Sequence, residues 1–219
     1  MNLNTAGHCF WRVPLVNKSH NSPKTVAADL FDQPFEVIHA TMGNDPNQWL
    51  LHADALLVAA EIVYTKIGKP PASTHGIEAA WGWFSVHDVA RMLRGMALEC
   101  LLKAAWLHCG ERLFDKNRFV GIQGKQGHDL YGIYTEVCKK RPIALNMQEK
   151  KLLARFAFAI VMARYPVAKS SNGCHPSAPV AKTKMSWCAW SHDADTKVWR
   201  SLLRKILAAI PEAEVQERT

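Results

Sequence analysis

Residues 92–110 read MLRGMALECLLKAAWLHCG, a nearly unbroken apolar run with Glu99 and Lys103 set into it one helical turn apart. At helical spacing Arg91, Gly95, Glu99 and Lys103 fall in one i,i+4 column. Leu93, Met96, Ala97, Leu101, Ala104, Ala105 and Leu107 fill most of the remaining circumference. A helix apolar on so much of its surface belongs at the centre of a bundle. The polar column is then expected to be the one narrow stripe left unpacked. Glutamate before lysine is the favourable order for a helical ion pair, which on an exposed face contributes only about 0.3–0.5 kcal/mol. Gly110 is expected to stop the helix.

On the N-terminal side, residues 44–71 read NDPNQWLLHADALLVAAEIVYTKIGKPP. Asp45 suits an N-cap, Pro46 the first helical position, and Gly68 with Pro70 a stop, so one helix is expected over 46–67. On the C-terminal side a glycine-rich connector, FVGIQGKQG, leads into HDLYGIYTEVCKKRP, where Leu130, Ile133, Tyr134 and Val137 recur at helical spacing before Pro142. LNMQEKKLLARFAFAIVMARYP forms a further helix, apolar through Leu152, Leu153, Phe156, Ala159, Ile160 and Ala163 and basic in its first turns through Lys150, Lys151 and Arg155. Residues 167–191 are rich in Ser, Pro and Lys without a period and read as a long loop. The last helix, over 193–210, turns Val198, Trp199, Leu202, Leu203, Ile206 and Ile210 inward and Lys197, Arg200, Arg204 and Lys205 largely outward.

No strand pattern emerges, so the expected fold is all-α, a bundle of about five helices over 45–212. An arm over 1–44 shows no sustained period, and a short tail covers 213–219. The chain has 219 residues, 48% hydrophobic and 21% charged, which suits one ordinary globular domain. Its formal net charge of +8 favours polyanionic partners, RNA or DNA first, over a merely soluble basic surface only if a site supports it. The six cysteines are scattered, several inside apolar helical runs, and read as reduced thiols. The N-terminus lacks the pattern of a secretion signal and no stretch is long enough to span a bilayer, so a cytoplasmic protein without a membrane is expected.

The order GMALECLLKAAWLHCG, then a loop, then GHDL, then a helix ending ARYP resembles the HEPN family, the higher-eukaryote and prokaryote nucleotide-binding domains. In that family a central helix carries a Glu followed four residues later by a Lys, the next helix opens with His-Asp-Leu, and some branches have Arg-Tyr-Pro after the following helix. The matching positions are Glu99 and Lys103, His128, Asp129 and Leu130, and Arg164, Tyr165 and Pro166, and the resemblance spans about residues 46–210. It implies an all-α protein, often a homodimer, and in many members a metal-independent ribonuclease of toxin, anti-phage or RNA-processing systems. It also implies that Glu99, Lys103, Asp129 and Tyr165 form a polar seam or RNA-binding face, with Arg164 and a histidine, His128 or His175, as catalytic candidates.

The chemistry is coherent, because a His can move the 2′-OH proton while an Arg stabilises the charge developing on the phosphate, with no metal and no cofactor. Active family members typically show an Arg, four to six intervening residues, then a His. Here ten residues separate Arg164 from His175, nine separate Arg118 from His128, and seven separate Arg12 from His20. That departure puts catalysis in doubt and keeps a second reading open, a non-catalytic accessory module acting with a nucleotidyltransferase or another protein partner.

Each candidate also has a plainer reading. His128 and Asp129 open a helix, where Asp129 suits the positive end and His128 bonds locally. Arg164 suits a helix C-terminus as a cation beside free carbonyls. Trp81, Trp83, Phe84, Trp187 and Trp190 could stack on unpaired bases, but tryptophans beside apolar runs more often pack. Cys174, His175, Cys188 and His192 are of zinc-binding types. Their spacing is not a standard one and adjacent Cys and His seldom hold the same ion, so unliganded side chains are expected. No Gly-rich phosphate loop, paired catalytic carboxylates or serine nucleophile elbow is present.

Overall fold

The computed structural model describes residues 11–12, 35–67, 76–115, 118–122, 128–164, 192–211 and 216–217. Side chains at 11–12, 35–36, 67, 76–84, 162–164, 192–194 and 216–217 lie outside that description. Six helices are present among these residues, α1 Phe35–Gly43, α2 Pro46–Ile67, α3 Gly76–His108, α4 Leu130–Lys140, α5 Met147–Arg164 and α6 His192–Leu207. The protein is an all-α bundle, with one helix more than the periodicity suggests, because α1 falls inside the stretch expected to be an irregular arm. Two antiparallel pairs of two-residue strands accompany it, β1 Trp11–Arg12 with β4 Gln216–Glu217, and β2 Phe114–Asp115 with β3 Arg118–Phe119. Strands this short leave no alternation to detect in the sequence.

The helix ends follow local chemistry. Asp45 Oδ1 accepts from the Asn47 amide at 2.9 Å, which with Pro46 in the first turn starts α2 where the sequence places it. Past the end of α3, Gly110 takes φ 81°, the left-handed conformation that only glycine adopts without cost. At the start of α5, Asn146 Oδ1 accepts from the Glu149 amide at 2.9 Å while Glu149 Oε2 accepts from the Asn146 amide at 2.7 Å, a reciprocal cap. Glu149 is fully buried and also accepts from Ser201 Oγ at 2.6 Å and Lys205 Nζ at 2.7 Å, so the same carboxylate ties α5 to α6.

The long α3 is the central element. α2 runs antiparallel to it, as Trp49 meets Lys103 at one end and Glu61 meets Arg94 at the other. α5 and α6 are likewise antiparallel, joined through Glu149 with Lys205 and Arg155 with Asp195 at 2.6 Å. Leu98, Leu101 and Leu102 of α3, Leu152, Leu153 and Phe156 of α5, and Leu202 and Leu203 of α6 are fully enclosed and form the shared core. Each such side chain contributes on the order of 1.5–3 kcal/mol through the apolar surface it removes from water.

Gly95 shows that the Arg91–Gly95–Glu99–Lys103 column is packed rather than open. A Cβ at this position would sit 2.9 Å from Ile160 Cγ1 and 3.0 Å from the Phe156 carbonyl oxygen, so α5 lies directly on the glycine. The backbone oxygen cannot move aside alone. Gly95→Ala is therefore expected to push α3 and α5 apart and to destabilise the fold by about 1–3 kcal/mol despite alanine's better helix propensity. Urea unfolding checks this, and a stabilised variant would contradict the close approach.

Candidate functional site

The seam begins on α3. Glu99 and Lys103 face the same side one turn apart, and Lys103 Nζ donates to Glu99 Oε1 at 2.6 Å. Both residues are only 7% exposed, so the expectation of an open, weakly contributing pair is corrected. Periodicity marks a polar stripe but does not reveal what covers it. The cover comes from other elements: Lys103 Nζ lies 4.6 Å from the centre of the Trp49 ring on α2 and 5.4 Å from that of Phe119 on β3. Both contacts are of cation–π type and hold an ammonium that has little water around it.

His128 completes the cluster. It stands just before α4, whose N-cap is Asp129: the Asp129 carboxylate accepts from the Gly132 amide at 3.0 Å. This cap sets the start of α4 so that His128 Nδ1 comes within 2.9 Å of Glu99 Oε2. The imidazole side chain keeps 41% of its surface exposed, whereas the carboxylate behind it is buried. The two segments carrying these residues are 29 positions apart in sequence and meet through one carboxylate.

Burial works to raise the pKa of Glu99, but the His128 hydrogen bond and the Lys103 ammonium outweigh it, and the carboxyl lies below its ordinary value. An ionised carboxylate only accepts, so His128 Nδ1 carries the proton in this bond. In the neutral ring Nε2 is then the basic nitrogen, the arrangement in which a carboxylate orients a histidine for proton transfer. Burial pushes the neighbouring Cys100 thiol up to about 12, so it is a poor nucleophile.

The sign of the Glu99 shift has a consequence for stability. A carboxyl whose pKa is lower folded than unfolded binds fewer protons in the folded state. Its stabilisation is complete above the ordinary glutamate range and is lost as pH falls through that range toward the folded value. Glu149 is also lowered: burial opposes ionisation, while Lys205, Ser201 and the Asn146 amide prevail. Unfolding followed from pH 7 to pH 3 is expected to show falling stability in acid, with a shallower fall in Glu99→Gln. An unchanged slope in that variant would contradict the lowered pKa.

A second charged group within the opening stretch, Arg94, has no counterpart in the sequence pattern. It is 5% exposed, lies 3.5 Å from Glu61, and stacks over Tyr64 at 4.4 Å and Trp199 at 5.3 Å. Burial lowers its pKa, with Glu61 acting in the opposite direction. The visible signal was an arginine inside an apolar run. Phe119, 49% exposed beside Lys103, was legible only as part of a connector.

The remaining candidates are placed as follows. Arg164 is the last residue of α5 and its side chain lies outside the described residues, as does that of His192 at the start of α6. Tyr165, Cys174, His175, Cys188, Trp187 and Trp190 lie outside the described residues, as do the side chains of Trp81, Trp83 and Phe84. The structure thus brings together Glu99, Lys103 and His128, with Asp129 as the cap that positions the last. Among the described residues no group of three His, Cys, Asp or Glu side chains is placed to hold a metal, and no helix is long and apolar enough to cross a membrane. No family model, curated protein or solved structure matches this chain.

Proposed function

We propose that the protein is a HEPN-like RNA-binding protein in which His128, oriented by Glu99, acts as the base in metal-independent RNA cleavage. The observation that carries this reading is the convergence of two separate segments of the resemblance, Glu99 with Lys103 and His128 with Asp129, on one half-exposed imidazole backed by a buried carboxylate. In the proposed step His128 Nε2 takes the proton of a ribose 2′-OH and that oxygen attacks the adjacent phosphorus. The 5′-oxygen leaves and takes a proton from solvent, so the products end in a 2′,3′-cyclic phosphate and a 5′-hydroxyl. Arg164 is the proposed cation for the charge that develops on the phosphate.

Binding rests on the basic side of the molecule. Lys197, Arg200 and Arg204 recur on the outward side of α6, spanning roughly 10 Å of helix at its rise per residue. Lys150 and Lys151 open the neighbouring α5. With a net charge of +8, such a row favours a phosphate backbone through counterion release. Filter retention of single-stranded RNA is expected to weaken steeply with salt. Replacing Lys197, Arg200 and Arg204 by alanine is expected to reduce the slope of log K against log salt by about 2. Retention that ignores salt, or a triple variant with the wild-type slope, would count against this face.

A second reading is favoured by the departure from the Arg-to-His spacing of active family members. In it the balanced Glu99–Lys103–His128 cluster only holds α3 to α4, and the protein is a non-catalytic module acting beside a nucleotidyltransferase or another partner. RNA retention without cleavage would select it.

A further inference from the structure

Beside Trp49, α1, α2 and α3 together with Phe114 line an open cavity of about 620 Å³. The buried Phe114 and the half-buried Met96, Cys100 and Trp49 line its floor, and the exposed His39, Met42, His52 and Ala55 stand at the mouth. Among the described residues no Asp, Glu, Lys or Arg lines it, in a protein with a net charge of +8. A charged ligand would lose its hydration there and gain no counter-charge.

The walls are held before any ligand arrives. Trp49 Nε1 donates to the Gly43 carbonyl at 2.9 Å, which fixes the ring plane and uses up its donor. Asn44 Oδ1 accepts from the amides of Leu113 at 2.9 Å and Phe114 at 3.0 Å, while its Nδ2 donates to the Phe114 carbonyl at 3.0 Å. Phe114 is locked further by the edge-on contact with His39 at 5.0 Å. A Cβ on Gly43 would meet the Phe114 ring at 2.2 Å, so the glycine is what lets α1 close onto that ring. A preformed cavity of this size, with fixed aromatic walls and thioethers, has the characteristics of a small-molecule site.

We propose that this cavity binds an uncharged, planar aromatic small molecule, stacked along Trp49 and Phe114 with any polar edge turned to the histidines at the mouth. Flat rings match flat rigid walls with little ordering of either partner, whereas a flexible chain would have to be immobilised. The binding is non-covalent, since the Cys100 thiol on the floor is held protonated. The cavity shares Trp49 with the seam, but the proposal does not rest on the RNA reading and its test is independent of it.

Nile red, a neutral planar dye whose emission rises in apolar surroundings, is the probe. The full-length protein is expected to bind it saturably at one site, and the neutral planar 2-naphthol to displace it at lower concentration than the neutral aliphatic 1-decanol. Ala55→Trp, at an exposed helical position on the rim, fills the mouth and is expected to weaken dye binding roughly tenfold or more. Ile62→Trp, on the same helix and 52% exposed but outside the cavity, is the control and is expected to bind as the wild type does. Circular dichroism confirms that both variants fold. Absence of saturable binding, equal affinity in Ala55→Trp, or preferential displacement by 1-decanol would each overturn the assignment.

Discussion

Replacing Lys103 by methionine is expected to lower the unfolding free energy by about 3–5 kcal/mol, far more than an exposed helical ion pair is worth. Glu99 and Lys103 are each 7% exposed, so removing the ammonium leaves a carboxylate inside the bundle against the His128 ring with no cation among the described residues beside it. Methionine keeps most of the lysine's length and its contact with Trp49, so lost packing is a small part of the effect. The double variant Glu99→Gln, Lys103→Met is expected to regain most of the loss, because removing both charges also removes the need to solvate either. Urea unfolding of the wild type, both single variants and the double variant measures the coupling directly. A loss under about 1 kcal/mol in Lys103→Met would place the pair in the exposed class and contradict the burial on which the seam depends.

His128→Ala is expected to reduce RNA cleavage by roughly 10²- to 10⁴-fold, the usual contribution of a positioned general base. Its stability effect should be small, since the side chain is 41% exposed and α4 keeps its Asp129 cap. RNA retention should survive for the same reason. Glu99→Gln acts through His128 and is a positioning change: the amide can no longer hold the ring as an anion does. It is expected to cost less than removal of the imidazole. Single-turnover cleavage by the two variants separates the two. Equal cleavage by wild type and His128→Ala would remove the histidine from the mechanism.

Much of the fold could be read residue by residue, and the reasons are local. The ends of α2 and α3 depend on Asp45, Pro46 and Gly110, whose effects reach only a few positions along the chain. The inward positions of α5 and α6 repeat at helical spacing and are buried where the pattern puts them, as Phe156, Ile160, Leu202 and Ile206 show. α1 was not legible because its nine residues are held by distant groups, through the Trp49 bond to Gly43 and the Asn44 bonds to residues near 114. The Asn146–Glu149 cap, an Asn with a Glu three positions on, went unread in the sequence, and the ties from Glu149 to α6 leave no local signal at all.

The candidate site divides in the same way. Residue types and order along the chain picked out Glu99, Lys103 and His128, because family-like spacing is a one-dimensional property. Their burial, and the Trp49 and Phe119 rings over Lys103, depend on tertiary packing that no period encodes. The stripe on α3 looked open because a helical wheel has no neighbours drawn on it.

Incubating the purified full-length protein with total cellular RNA in EDTA, and examining the ends of any fragments, tests the central claim most directly. The account predicts fragments that carry 2′,3′-cyclic phosphates and 5′-hydroxyls and that do not form with a folded His128→Ala variant. Intact RNA after prolonged incubation with folded protein, or cleavage that His128→Ala leaves unchanged, would contradict it.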